Sequence, residues 1–220
     1  MRLPAGSLHL GVGGSPVLLF LPGFLAPPGA YHSLLAPVAA TGAEVLVPAL
    51  YRPGPAVLSG RFSAAEEADR AVVLGREVVA AGRPLWLAGH SRGGLVAWTA
   101  SARLPVQGVA LLDPVAGGAP WQAPGPLPAG ATDGPVLIIG CGRGGRCAPS
   151  DRNHAMFARA VGRARVVVLA DAGHADLLDG LAGRIGSITC RAGADPARTR
   201  AEIAAHLVAF LAGVDGGPLR

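Results

Sequence analysis

Pro84-Leu85-Trp86-Leu87-Ala88 runs straight into Gly89-His90-Ser91-Arg92-Gly93-Gly94, and this junction restricts the fold more than any other segment. An apolar run ending on a Gly-x-Ser-x-Gly turn, followed at once by the helix-compatible stretch Leu95 to Ala102, reads as strand, turn, helix with the serine at the turn. Such a turn drives the serine backbone out of the ordinary dihedral wells. The residues two before and two after it must then be nearly free of side chain, which Gly89 and Gly93 satisfy. The outcome is a hydroxyl held clear of a sheet and a backbone N–H, that of Arg92, directed at the mouth of a helix. With 33 glycines in the chain the pentapeptide alone is a weak signal. The strand before it and the helix after it are the context it needs.

The rest of the 220-residue chain has the matching rhythm. Short apolar, β-branched runs at Val17–Leu21, Glu44–Val47, Pro84–Ala88, Gly108–Leu112, Val136–Ile139 and Arg165–Leu169 read as strands. Helical periods fill the gaps at Tyr31–Thr41, Ala64–Ala81, Leu95–Ala102, Asn153–Val161 and Arg198–Ala212. Ser63-Ala64-Ala65-Glu66 has the form of a capping box opening the second helix. Strands alternating with helices predict an α/β fold, a mostly parallel sheet of about six or more strands with helices on both faces. Neither a repeat nor a linker divides the chain, so residues 1–220 are expected to form one domain. Two insertions, Tyr51–Arg61 and Val115–Gly134, are rich in Pro and Gly.

Composition narrows the class. Half of the residues are hydrophobic, yet the longest aliphatic-aromatic run is Val17–Leu21, far short of the roughly 18 residues of a membrane helix. No signal-peptide pattern precedes it, so a cytoplasmic protein without a membrane span is expected, with surface association left open. The net charge of +5 comes from arginine alone, scattered singly and without lysine. No like-charge run or basic-aromatic patch points to nucleic acid. Cys141, Cys147 and Cys190 lack metal-binding spacing. They read as free thiols, with a Cys141–Cys147 bridge as the other reading.

A serine hydroxyl needs a base, an acid behind the base, and N–H donors for the developing oxyanion. In a parallel sheet these come from loops at the carboxyl ends of strands. His174, in Asp171-Ala172-Gly173-His174, follows the last strand, where Gly173 permits a turn towards Ser91. His90 is expected to point away as a packing residue, and His9, His32, His154 and His206 fall on the wrong loops or helices. For the acid, Asp113 ends the strand after the nucleophile unit. Asp151, in the loop after the next strand, is the alternative, although it would equally serve as a helix cap. The oxyanion donors are expected to be the N–H groups of Arg92 and of Phe24, in Leu21-Pro22-Gly23-Phe24. Phe24, Tyr31, Trp98 and Trp121 are candidates to line an apolar groove. No metal or cofactor is called for.

The order of these segments resembles the chlorophyllase family of the α/β-hydrolase superfamily. The matching segments are Phe20-Leu21-Pro22-Gly23-Phe24, the stretch from Tyr31 to Pro48, Gly89-His90-Ser91-Arg92-Gly93-Gly94, Asp113-Pro114-Val115-Ala116-Gly117, Cys147-Ala148-Pro149 with Asn153-His154, Gly173-His174 with Asp176, and Cys190-Arg191. Pro22 stands where the family usually has histidine. The resemblance implies Ser91, Asp113 and His174 as a catalytic triad, and it is the main reason for ranking Asp113 above Asp151. It also implies an apolar ester substrate, chlorophyll or a related pigment, cleaved to chlorophyllide and phytol without a metal. A general short-chain or polyester hydrolase is the nearest alternative, and a non-catalytic pigment or lipid carrier a more distant one.

Overall fold

The computed structural model describes residues 3–50, 63–117, 127–128, 130 and 133–213. Seven strands share one sheet: β1 (Leu8–Leu10), β2 (Val17–Leu21), β3 (Glu44–Val47), β4 (Leu85–His90), β5 (Gly108–Leu112), β6 (Val136–Arg143) and β7 (Arg165–Gly173). Their spatial order is β1-β3-β2-β4-β5-β6-β7. β1 runs antiparallel to β3, and every other neighbouring pair is parallel. The helices are α1 (His32–Ala39), α2 (Ala64–Ala80), α3 (Arg92–Ser101), α4 (His154–Val161), α5 (Gly180–Thr189) and α6 (Pro196–Leu211).

Strand periodicity explains the layering. Leu19, Leu87 and Leu111 point to one face, where Ala71 and Val78 of α2 and Val96 of α3 cover them. Leu18, Ala88 and Leu112 point to the other, against Leu35 of α1 and Leu207 of α6. Because both faces are covered, the central strands are continuously apolar and fully buried rather than alternating. His90 continues the series Trp86, Ala88 on β4 and so faces the α1–α6 side. α2 is opened by Ser63, whose Oγ accepts the Ala65 N–H at 3.2 Å, while Glu66 and Glu67 place negative charge in the first turn.

The chain moves from β2 outward to β3 and then returns past β2 to β4. The direction of winding therefore reverses between β2 and β4, and a crevice forms at the carboxyl ends of these two strands. The loop carrying Gly23 and Phe24 leaves one of them, and Ser91 follows the other.

Two elements escape the sequence reading. β1 is a three-residue edge strand, too short to show a period. α5 contains Gly180, Gly183 and Gly186, whose poor helix propensity masks it. The cysteines also depart from both readings, three free thiols or a Cys141–Cys147 bridge. Cys141 is buried in β6 as a free thiol, and Cys147 is bonded to Cys190 across a Cα separation of 5.2 Å. Most of the two Pro- and Gly-rich insertions, Trp121 included, lies outside the described residues.

Candidate active site

Ser91 sits between β4 and α3 with φ 57° and ψ −125°, a region that costs a non-glycine residue about 1–3 kcal/mol. Three backbone hydrogen bonds hold it there. The Ser91 N–H donates to the Leu112 carbonyl, and the Ser91 carbonyl accepts from the N–H groups of Gly94 and Val115. Its flanking glycines are steric requirements: a Cβ on Gly89 would overlap the Gly93 carbonyl, and one on Gly93 would overlap the Leu21 carbonyl. Extended backbone, tight turn and helix thus meet with no room for side chains at the crossing.

β6 and β7 run past the edge of the sheet as a two-stranded ribbon, with Arg143 paired to Gly173, and so deliver His174 to the same crevice. His174 begins a short 3-10 turn, His174–Leu177, that Asp176 fastens from within. The buried Asp176 carboxylate accepts N–H groups from Gly173 at 2.8 Å and Gly193 at 3.0 Å. The His174 Nε2 is 2.9 Å from Ser91 Oγ, and its Nδ1 is 2.7 Å from Asp113 Oδ2. A carboxylate can only accept, so Nδ1 carries the proton and Nε2 is free to accept from the serine hydroxyl.

Asp113 follows β5 with φ 38° and is 1 % exposed. Its second oxygen, Oδ1, accepts the Cys141 N–H at 3.0 Å and the His154 Nδ1–H at 3.2 Å. Burial opposes the charge on Asp113, but the hydrogen bonds from His154 and His174, the His174 charge and the Cys141 N–H together hold its carboxyl well below the usual range. Asp151 is exposed and pairs with its neighbour Arg152 at 3.4 Å, whereas His154 and His174 both bond to Asp113. The His174 Nδ1 is thus held by Asp113 and not by the alternative acid. Asn153, not Asp151, caps α4, accepting the Ala155 N–H at 3.0 Å.

Sequence reasoning missed His154. Its imidazole packs against Gly140 of β6, where any Cβ would collide with the ring. Two signals pointed there: the Asn153-His154 segment shared with the resembled family, and the glycine inside an apolar strand, which marks close approach by another group.

Behind the crevice a second chain of hydrogen bonds links the β2 loop to the His174 loop. The Gly23 N–H donates to Tyr31 Oη at 2.8 Å, Tyr31 Oη is 2.9 Å from His90 Nδ1, and His90 Nε2 is 3.1 Å from the His174 carbonyl. The carbonyl must accept, so His90 carries its proton on Nε2 and accepts the Tyr31 O–H hydrogen bond on Nδ1. Burial first, then the neighbouring His174 charge, outweighs the Asp113 charge and the bond to the His174 carbonyl, pushing His90 down to about 3. It is neutral at ordinary pH. Tyr31 is fully buried in this network and does not line the groove, which corrects the expectation that it contacts substrate.

Gly23 passes so close to the nucleophile that a Cβ there would stand 3.3 Å from Ser91 Cβ. With the Gly23 N–H committed to Tyr31, the next residue, Phe24, is the donor candidate on this loop. The side chains of Phe24 and Arg92 meet, the Arg92 guanidinium lying 5.6 Å from the Phe24 ring centroid. Arg92 is itself buried and held by both oxygens of Glu67, at 2.7 to 3.0 Å. Phe24, Ser91, Arg92 and His174 share a cavity of about 1130 Å³ with Leu25 and Leu178. Trp98, also expected near a groove, packs on the α2–α3 side, with its Nε1–H donating to the Pro128 carbonyl at 3.1 Å.

A strained serine after a central strand, hydrogen-bonded to an imidazole that a buried carboxylate holds, can carry out nucleophilic acyl transfer. Sheet and site together define a carboxylic ester hydrolase of the α/β-hydrolase fold. A family model described as Chlorophyllase matches residues 10–216, and the chain belongs to that family. It is 31% identical to Chlorophyllase-2 of Arabidopsis thaliana over 232 residues, spanning 90% of this chain and 73% of that protein. It is 34% identical to the chloroplastic Chlorophyllase-1 of Citrus sinensis, spanning 77% of this chain and 57% of the relative. Among solved structures, the ferulic acid esterase of Streptomyces cinnamoneus aligns with a TM-score of 0.67 at 21% identity, covering 91% of this chain and 67% of that one. A metagenome-derived lipolytic enzyme aligns with the same TM-score at 17% identity, covering 96% and 100%. At such identities these two likenesses speak for the fold alone.

Proposed function

We propose that Ser91 is the nucleophile of an esterase that cleaves the phytyl ester of chlorophyll-type pigments. The hydrogen-bonded line Ser91–His174–Asp113, opening into one apolar groove, is the observation that carries this reading. Ser91 Oγ attacks the ester carbonyl while His174 Nε2 takes its proton. Asp113 keeps Nδ1 protonated and stabilises the imidazolium. The backbone N–H groups of Phe24 and Arg92 receive the oxyanion. As the C–O bond breaks, His174 returns the proton to the departing alcohol, phytol. Water, deprotonated by the same imidazole, then releases the pigment acid and restores Ser91.

The groove's chemistry supports an alkyl chain more strongly than a flat macrocycle. Leu25, Leu178, Leu181 and Ile185 line it, and Phe24 is the aromatic residue among the described lining apart from the two histidines. Branched aliphatic walls suit a branched isoprenoid alcohol. Parallel assays of chlorophyll a and a p-nitrophenyl ester test the reading, with Ser91→Ala as the blank. Serine-dependent release of chlorophyllide and phytol is expected. Serine-dependent cleavage of the small ester alone would make this a general esterase, and cleavage surviving in Ser91→Ala would remove the nucleophile assignment.

A further inference from the structure

A surface helix in water ordinarily turns its apolar stripe inward. α5 does the reverse, and none of its ten residues is buried. It meets the body through its small residues: a Cβ on Gly186 would press on Ala175, and one on Gly183 on the Leu178 carbonyl. At about 100° per residue, Leu181, Ile185 and Ile188 fall on the opposite side, where they are 71%, 55% and 85% exposed. Leu25, on the loop after β2 with φ 56°, is a fourth exposed aliphatic residue. All four line the mouth of the groove that holds Ser91.

Positive charge frames this stripe. Arg184 lies three residues from Leu181 and four from Ile188, hence beside them on the helix. Exposed Arg146 lines the groove, and exposed Arg191 packs by Gly145 next to the Cys147–Cys190 bridge, which ties the end of α5 to the loop after β6. α5 has no acidic residue. Among the described residues no carboxylate pairs with Arg146, Arg184 or Arg191. Protein interfaces set arginine beside aromatic anchors, Trp and Tyr above all, and α5 has no aromatic residue. Aliphatic side chains ringed by arginine instead match an apolar phase with an anionic surface.

We propose that α5 and Leu25 dock on an anionic lipid surface. The four aliphatic side chains enter the edge of the acyl layer, and Arg146, Arg184 and Arg191 face the phosphates. The groove mouth then opens onto the bilayer, so an apolar ester reaches Ser91 without crossing water. That delivery step rests on the esterase reading; the docking itself does not.

The test is sedimentation of Ser91→Ala protein with vesicles of phosphatidylcholine containing phosphatidylglycerol, against vesicles of phosphatidylcholine alone. Binding to the anionic vesicles is expected, weakened by salt. The double variant Leu181→Asp/Ile188→Asp and the single variant Arg184→Glu should each lower partitioning by at least about tenfold. Val12→Asp serves as the control, because Val12 is equally exposed but sits beside the start of β3, at the amino end of the sheet. It should bind as the parent does. The proposal fails if the parent does not sediment, if Val12→Asp loses binding equally, or if Leu181→Asp instead dissolves a dimer of the parent. Cleavage of a soluble p-nitrophenyl ester by the Ser91 protein is measured separately. Vesicle binding without cleavage would sink the esterase reading alone, and cleavage without vesicle binding would sink the docking alone.

Discussion

Replacing Asp113 by asparagine changes one oxygen to an NH2 group without changing shape, and the structure dictates which way the amide must face. The Oδ1 position accepts the Cys141 backbone N–H, a donor that cannot be withdrawn from β6, and the His154 Nδ1–H as well. An NH2 group there would confront two donors. The asparagine therefore keeps its carbonyl on the Cys141 side and turns its NH2 towards His174 Nδ1, 2.7 Å away in the parent. His174 must then accept on Nδ1 and carry its proton on Nε2, facing Ser91 with a donor where an acceptor is required. A histidine locked in the wrong tautomer costs a serine hydrolase about 10⁴ in kcat, or about 5 kcal/mol of barrier. The variant should still fold, because every buried donor and acceptor retains a partner, although it loses the stabilisation that the favoured Asp113 charge supplies at neutral pH. The assay is kcat and KM for a p-nitrophenyl ester at neutral pH, with thermal melts of parent, Asp113→Asn and Asp151→Asn. Asp151 is exposed and should be silent. A folded Asp113→Asn enzyme within tenfold of the parent, or an inactive Asp151→Asn, would refute the assignment of the acid and the amide argument with it.

Other perturbations probe the supports of the site. His154→Ala removes one hydrogen bond to the buried Asp113 charge, worth about 1.5–3 kcal/mol, so kcat should fall about ten- to a hundredfold. His154→Asn, which keeps an N–H donor at the same reach, should recover part of it if orientation of Asp113 is what was lost. Tyr31→Phe leaves the Gly23 N–H and His90 Nδ1 without the hydroxyl that joins them, and should lower the urea-unfolding free energy by about 1–3 kcal/mol. Glu67→Gln removes the carboxylate facing the buried Arg92 guanidinium, at a cost of about 3–5 kcal/mol. The joint change Glu67→Met/Arg92→Met should recover most of that stability. His90 titrates at about 3 in the folded protein and near 6.5 when unfolded, so below 6.5 the unfolded chain binds the extra proton. Its contribution to stability is complete above about 6.5 and is lost as pH falls towards 3, at up to about 1.4 kcal/mol per pH unit. Unfolding titrations of the parent and His90→Asn between pH 7 and 4 should show a steeper fall in the parent than in the variant, where the lowered His206 and the lowered carboxyls of Asp113 and Glu44 still contribute.

What could be read from the residues divides along a physical line. The sheet was legible because burial on both faces forces continuous apolar runs, and Val17–Leu21 and Gly108–Leu112 are strands with the expected bounds. Ser91 and His174 could be nominated because each follows a strand, and strand ends of a parallel sheet converge whatever the packing details; Asp113 shares that position, but its rank above Asp151 came mainly from the family resemblance. Partners chosen by packing were not legible. His154 reaches Asp113 only because α4 settles over Gly140, and nothing within α4 distinguishes an imidazole on a carboxylate from one in solvent. Cys147 meets Cys190 across 43 positions, whereas the residues alone read as free thiols, with the nearer Cys141 as the alternative partner, and Cys141 is buried in β6. Tyr31 was expected at a groove because aromatic residues near a nucleophile commonly touch substrate, yet its hydroxyl is the link between Gly23 and His90. α5 combines both difficulties. Its glycines lower its propensity, and those same glycines are what let it lie against the Ala175–Leu178 turn with its leucine and isoleucines outward. A residue pattern reports a helix face by assuming that the apolar side is the inner side, so a helix built for an apolar exterior is the case that assumption inverts.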